Sequence, residues 1–71
     1  MPKIRPLTPK KLIAVLKKHG FVVNNITGSH YGLWNIKSGA RVTIAYHNKD
    51  IPKGTLHAII KASRLDISIF K

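Results

Sequence analysis

The segment FVVNNITGSHYGLWNIKSGARVTIAY, residues 21–46, decides the fold because it contains three β-rich runs separated by short turns. The runs, rich in β-branched and aromatic residues, are predicted strands at residues 21–26, 30–37 and 41–46. Thr27-Gly28-Ser29 and Ser38-Gly39 are turn-forming sequences. Strands joined by turns this short pair antiparallel, so the segment predicts a three-stranded meander.

A first helix is predicted before this meander. Thr8 is a good N-cap, and Pro9 is favoured at the first helical position because its missing N–H would have no partner there. Leu12 and Leu16 recur at helical spacing, and Gly20 is a natural helix end. We therefore place this helix at about residues 9–19, with His19 as a helix-end residue.

A second helix is predicted after the meander. Residues 47–54 are rich in turn formers, and helical periodicity is evident over about residues 53–63. One side of this helix is apolar and ends at Ser63, and another carries a basic ridge formed by Lys53, His57, Lys61 and Arg64. The tail that follows forms either a last short turn capped by Asp66 or an extended segment.

The predicted order is therefore α-β-β-β-α, an α+β fold with a three-stranded antiparallel sheet and two helices packed on one face. The length of 71 residues predicts a single domain spanning residues 1–71. Residues 1–7 form a basic lead-in that contains prolines, and residues 66–71 form the tail.

The charge balance points to a polyanionic partner. The formal net charge is +11, from 13 Lys and Arg against 2 acids, Asp50 and Asp66. So large an imbalance costs self-repulsion, which favours nucleic acid as partner, then an acidic protein, then an anionic membrane. The alternative is a solvated basic surface. No apolar run approaches the roughly 20 residues of a membrane span, and residues 1–11 lack the apolar core of a secretory signal, so we expect a cytoplasmic protein.

Most catalytic chemistries lack their residues in this chain. There is no cysteine, which excludes disulfides, thiolate metal sites and thiol nucleophiles. Two isolated aspartates do not supply the carboxylates of glycosidases or two-metal nucleases. The four histidines lie far apart and lack a zinc motif, so we expect no metal and no cofactor. Ser29 and His30 are neighbours on an extended chain and point to opposite faces, so they are not a nucleophile and its base.

Histidine, lysine and arginine chemistry remains, and it suits the cleavage of RNA by its own 2′-hydroxyl. The substrate supplies the nucleophile, so the protein needs a group that moves protons near neutral pH and cations that hold the phosphate. His30 is the best acid–base candidate. By residue type alone, however, a histidine at a strand start is more often structural.

The chain resembles the HicA family of small toxins from toxin–antitoxin pairs. The resemblance spans about residues 8–65 and rests on four segments in family-like order and spacing: LKKHGF (16–21), GSH (28–30), RVTI (41–44) and IPKGTLHAIIKAS (51–63). It implies a metal-independent endoribonuclease that cleaves mRNA, a double-stranded-RNA-binding-domain-like fold, and inhibition by a HicB-like antitoxin. The sequence does not give the oligomeric state.

The resemblance assigns catalysis to His30, as general acid or base. Many family members have a second histidine where this chain has Tyr31, a proline where it has Ala45, and a glycine where it has Arg64. The candidate RNA-binding residues are Gly28, Ser29, His47, Lys49, Lys53, His57, Lys61 and Arg64. For Gly28 and Ser29 turn formation is the favoured role, for His47 a hydrogen bond within its loop, and for the ridge a solvated helix face is an equal alternative.

Two questions stay open at the level of sequence. Trp34 is predicted on the same side of its strand as His30, where it would stack a base or meet the antitoxin unless Gly32 marks a bulge, but a core position is favoured. The alternative function is a non-catalytic module that binds double-stranded RNA through shape, phosphate and 2′-hydroxyl contacts.

Overall fold

The structure, a computed structural model, describes residues 4–70 and has the predicted order α-β-β-β-α. Its helices and strands are α1 (Pro9–Lys18), β1 (Phe21–Thr27), β2 (His30–Asn35), β3 (Arg41–Ala45) and α2 (Lys53–Ser63). A 3-10 helix, Ile67–Phe70, closes the described part of the chain. Residues 1–3 of the predicted lead-in and residue 71 of the predicted tail lie outside the described residues.

The sheet is an antiparallel meander in the order β1-β2-β3, as predicted. β2 is the central strand, and its first residue, His30, pairs with Thr27 on one side and Ala45 on the other. A β-bulge at Asn24 interrupts the pairing of β1, because Val23 pairs with Leu33 whereas Asn25 pairs with the next residue along, Gly32. A bulge was considered at Gly32 of β2, and the structure has it on β1, opposite Gly32.

Both helices pack on one face of the sheet, which confirms the predicted two-layer arrangement. The core joins Leu12 and Leu16 of α1 and Ile60 of α2 to Phe21 and Leu33 of the sheet. The alternation of buried and exposed residues along β3, with Val42 and Ile44 inside, follows from the two-residue period of a strand.

No helix or second sheet within residues 4–70 covers the other face of the sheet. The register sets its side chains in three rows across β1, β2 and β3: Thr27–His30–Ala45, Asn25–Gly32–Thr43 and Val22–Trp34–Arg41. We call these nine residues the open face. On the central strand, β2, His30 stands at one end of this face and Trp34 at the other.

Local hydrogen bonds explain where the elements begin and end. Thr8 caps α1 as predicted, since its hydroxyl accepts a hydrogen bond from the Lys11 N–H at 3.3 Å. β2 is shorter than predicted and ends at Asn35, because the carboxamide of this residue accepts hydrogen bonds from the N–H groups of Lys37 and Ser38 and so folds the chain into a turn. In the tail, Asp66 accepts from the Ser68 N–H at 2.9 Å, which matches the capped-turn alternative. No helix within residues 4–70 has the length and apolar character needed to cross a membrane.

Candidate active site

His30 is the first residue of β2 and lies exposed on the open face. Its backbone is fixed on both sides by pairing with Thr27 and Ala45, while its side chain projects away from the core. Within residues 4–70 the imidazole ring has no hydrogen-bond partner. Both ring nitrogens are therefore accessible to a bound molecule, which is what proton transfer to a substrate requires.

The turn before His30 is the device that places it at the sheet end. Gly28 has φ +59°, the left-handed conformation that a residue with a Cβ adopts only at a cost. The carbonyl oxygen of Ser29 accepts a hydrogen bond from the Tyr46 N–H at 2.6 Å, which fastens the turn to the end of β3. The favoured turn-forming role of these two residues is thus observed, and their contact with RNA stays a prediction.

The loop after β3 brings His47 and Lys49 to the same end of the sheet. His47 Nδ1 accepts a hydrogen bond from the Lys49 N–H at 3.2 Å, so the ring proton of a neutral His47 is on Nε2, directed away from that contact. This is the favoured hydrogen bond within the loop. Because this bond occupies only Nδ1, the same ring could still contact a phosphate through Nε2, and that contact stays a prediction.

A cavity of about 270 Å³ lies between β3 and the start of α2. Its lining includes Thr43 and Ala45 of the open-face strand, His47 of the loop, and Thr55 of α2. Ala45 of β3 lines this cavity and also pairs with His30 of β2, so one strand separates the cavity from the histidine. The first residue of α2, Lys53, is exposed and follows Pro52, which lines this cavity, so among the ridge residues it is the one nearest to the cavity along the chain.

The rest of the basic ridge lies away from His30. Arg64 ends α2, and its guanidinium Nη1 donates a hydrogen bond to the Ser38 carbonyl at 2.7 Å, in the turn at the far end of β2. His57 is half-buried and lines, with Lys61, a separate cavity of about 360 Å³ beside the tail. The structure therefore places Gly28, Ser29 and His47 close to His30 along the chain at one end of the sheet, with the Lys49 N–H bonded to His47, whereas His57, Lys61 and Arg64 lie elsewhere.

Trp34 lies outside the core, so the favoured core placement is wrong. It is half-buried on the open face, and the Arg41 guanidinium carbon lies 5.3 Å from its ring centroid, within cation–π range. The physical reason is the strand period. Trp34 is four residues from His30 and shares its face, whereas its neighbour Leu33 takes the buried position.

Sequence reasoning missed the role of Asn25. The bulge turns its side chain across the central strand, so that a Cβ built on Gly32 would lie 2.1 Å from Asn25 Oδ1. Gly32 thereby leaves room for a polar amide in the middle of the open face. The available signal was a glycine inside a predicted strand, which often marks a close approach of this kind.

The polar groups around His30 limit the chemistry that the candidate site could carry out. Among residues 4–70, no three His, Cys, Asp or Glu side chains come close enough together to hold a metal ion. The atoms near His30 that carry charge or hydrogen-bonding capacity are imidazole nitrogens, ammonium groups, hydroxyls and an amide. This set can move a proton and stabilise a phosphate.

Fold and site together define a class: a small, strongly basic α-β-β-β-α protein with one exposed histidine on an uncovered sheet face. The family model of the HicA toxin of bacterial toxin–antitoxin systems matches residues 9–65 of the 71-residue chain. The protein belongs to the HicA toxin family. A search of curated proteins found no match. Membership makes the chain a toxin of a toxin–antitoxin pair and implies a cognate antitoxin.

Proposed function

We propose that this toxin is a metal-independent endoribonuclease that cleaves mRNA in the cytoplasm, with His30 as general acid or base. The observation that carries the proposal is the state of His30 in a HicA-family chain. It is exposed on the open face, held by backbone pairing on both sides, and its ring is unpartnered within residues 4–70. A histidine kept for structure would instead be expected to hydrogen-bond within the fold.

The reaction moves one proton off the substrate and one onto it. The RNA 2′-hydroxyl oxygen attacks the adjacent phosphorus, a new P–O2′ bond forms, and the bond from phosphorus to the 5′-oxygen breaks. As base, neutral His30 takes the 2′-hydroxyl proton; as acid, protonated His30 gives a proton to the departing 5′-oxygen. The products are a 2′,3′-cyclic phosphate and a free 5′-hydroxyl, and water or a second group supplies the other transfer.

Cations at the His30 end would stabilise the charge that builds on the phosphate. Lys49, in the loop after β3, and Lys53, at the start of α2, are both exposed and would reach a bound phosphate from there, and His47 offers its Nε2 side. Stabilisation of a developing charge by fixed donors is usually a large contribution to catalysis. Neither of the two acids, Asp50 and Asp66, is among the nine open-face residues, although Asp50 directly follows Lys49 in the loop after β3.

The decisive experiment compares the wild type with His30→Ala and His19→Ala on a labelled RNA, with a chelator present throughout. His19 is the matched control, because it is also exposed but sits at the end of α1, where its Nδ1 donates to the Val15 carbonyl at 2.9 Å. We expect cleavage by the wild type and His19→Ala, and a loss of about a hundredfold or more in His30→Ala. Equal cleavage by all three proteins, or by none, would refute the assignment.

A substrate series tests the nucleophile. Replacing the ribose at the cleaved position with deoxyribose removes the attacking oxygen, so cleavage there should stop while binding persists. Salt-sensitive binding without any cleavage, unchanged by His30→Ala, would instead support the non-catalytic module for double-stranded RNA.

The antitoxin is proposed to be HicB-like and to cover the His30 end with an acidic surface. The support is family membership together with the net charge of +11, which favours an acidic partner as well as RNA. Co-purification of the toxin with the product of a neighbouring HicB-like reading frame tests this directly. An antitoxin that binds but leaves RNA cleavage unchanged would contradict the proposed mode of inhibition.

A further inference from the structure

The end of the open face opposite His30 carries a patch with no role in the chemistry above. Trp34 is half-buried there, Arg41 lies against its ring, and the paired residue on β1, Val22, is 46% exposed. Burial of apolar surface is the main source of folding stability, and a chain this small has little of it to bury. An indole left partly exposed therefore gives up stability that a ligand covering it would recover as binding free energy.

Trp34 and His30 are aligned on the same strand. They are four residues apart on one face, which corresponds to about 13 Å along β2. Between them lies Gly32, whose missing side chain makes room for the Asn25 amide, so this amide and the Thr43 residue of the same row separate Trp34 from His30. A single strand of RNA with its phosphate at His30 would reach Trp34 within a few nucleotides.

We infer, building on the proposed function, that Trp34 and Arg41 form a subsite for one unpaired RNA base, a few nucleotides from the cleaved phosphate. The base stacks on the aromatic surface, and the Arg41 guanidinium joins the stack and contacts the backbone. Stacking on aromatic rings and arginine planes is how proteins commonly hold unstacked bases. The subsite would give affinity and would require single-stranded RNA at that position.

The alignment of Trp34 with His30 favours RNA over a protein as the occupant. Arg41 is the one cationic side chain among the nine open-face residues besides a protonatable histidine, so the face attracts anions, whether RNA or an acidic protein. An antitoxin segment would gain the same apolar contacts from Trp34 and Val22, but only a strand of RNA cleaved at His30 needs a base-binding residue on the same face of the same strand.

Trp34 is the single tryptophan of the chain, so it reports on its own surroundings. His30→Ala protein, which should bind without cleaving, is titrated with short single-stranded RNA oligonucleotides while tryptophan emission and the anisotropy of an RNA label are recorded. We expect emission quenching with the same binding curve as the anisotropy. Binding seen by anisotropy without any change in emission would overturn the inference.

Side-chain replacements separate stacking from packing. In the His30→Ala background, Trp34→Leu keeps an apolar side chain without a ring, and Trp34→Phe keeps a ring. We expect RNA affinity to fall about 5- to 100-fold in Trp34→Leu and less in Trp34→Phe. Tyr46→Ala is the matched control, because Tyr46 is a 38%-exposed aromatic residue on the opposite face. Equal affinities in the Leu variant and its parent would refute the subsite.

An abasic scan locates the subsite without depending on catalysis. When one base at a time is removed from the RNA, affinity for the parent protein should fall as much as it does in Trp34→Leu at one position only. Removing the base at that same position should not lower the affinity of the Trp34→Leu protein any further. If Trp34→Leu instead weakens antitoxin binding alone and leaves RNA affinity intact, the patch is a protein contact and the inference fails. Cleavage is not measured in these arms, so failure of the proposed nuclease activity would be seen separately.

Discussion

Asn35 shows how one polar side chain can hold several parts of a small fold together. It is only 7% exposed, and its Nδ2 donates to the His19 carbonyl at 3.1 Å, at the end of α1. Its Oδ1 accepts from the N–H groups of Lys37 and Ser38, at 3.0 and 3.2 Å. The residue therefore ties the first helix to the turn between β2 and β3.

Replacing Asn35 with alanine should destabilise the protein by about 2 to 3 kcal/mol, because three hydrogen bonds are lost and their backbone partners are left half-buried. The free energy of unfolding from urea denaturation measures this. Asn24→Ala is the matched control, since Asn24 is exposed in the bulge and should change stability little. Equal losses in the two variants would contradict the role of the Asn35 contacts.

Gly28 is required for its backbone conformation and not for lack of space. Its φ is +59°, and a Cβ at this position would meet nothing within 4 Å. Gly28→Ala should therefore cost about 1 to 2 kcal/mol from conformation alone. Gly28→Asn should cost less, because asparagine tolerates the left-handed region better than alanine. Denaturation midpoints of the two variants test the order, and a reversed order would indicate a steric cause.

The C-terminal end of α2 has an unusual backbone conformation. Arg64 has φ +61° in the left-handed position that glycine usually occupies at a helix end. Its guanidinium donates to the Ser38 carbonyl, and Ser63 Oγ, buried beside it, accepts from the Leu65 N–H at 3.2 Å. Arg64 therefore adopts a strained backbone conformation, and its hydrogen bond to the β2–β3 turn offsets part of the cost in stability.

Two substitutions separate these effects. Arg64→Gly removes both the strain and the hydrogen bond, whereas Arg64→Ala removes only the hydrogen bond. We expect Arg64→Gly to be about 1 kcal/mol more stable than Arg64→Ala, with the wild type at or below the glycine variant. Thermal unfolding measures the differences. An alanine variant as stable as the glycine variant would show that the backbone at residue 64 is not strained.

The elements were predictable where local signals agree with tertiary packing. The start of α1 at Pro9 follows from its cap, and α2 was placed at residues 53–63, as observed. The C-terminal end of β2 was predicted two residues too late, because Asn35 ends the strand with side-chain hydrogen bonds from Lys37 and Ser38 that the strand propensity of Ile36 does not reveal. The same limit applied to Trp34, since a strand with apolar residues on both faces does not say which face the helices cover.

The positions of the candidate site residues followed from the sequence only in part, and their chemistry stays a prediction. Elimination by composition left His30, and the family resemblance assigned its role. The helical spacing grouped Lys53 with Arg64, but the length of α2 separates them, and Arg64 contacts the far turn. Asn25 could not be foreseen on the open face, because the bulge at Asn24 changes which way the following side chains point.

At the scale of the molecule, the fold is thin and one-sided. Its extents are 31 × 28 × 17 Å, which leaves room for one sheet and one layer of helices. One face of the sheet packs against the helices in the core, and the other is the open face. The net charge of the chain is +11. Partner binding can therefore use a broad surface without disturbing the core.

Because the phosphate backbone should dominate RNA affinity, binding should weaken steeply with salt. Each phosphate contact contributes about 0.7 to the slope of log affinity against log salt for single strands. Lys53→Gln should reduce that slope by about this amount, whereas Lys18→Gln, at the end of α1, should change it little. Anisotropy titrations at several salt concentrations give the slopes. Equal slopes in the two variants would remove Lys53 from the interface.

The bulge on β1 also bears on how the chain tolerates changes in length. Asn24 is the one residue of β1 without a partner on β2, so its deletion would leave the pairs on either side, Val23 with Leu33 and Asn25 with Gly32, in register. Deleting a strand residue normally moves every following side chain to the opposite face. Here the shortened strand would alternate regularly and still present Thr27 beside His30. This strand can therefore lose one residue without losing the site, so alignments of related toxins should allow a one-residue gap here.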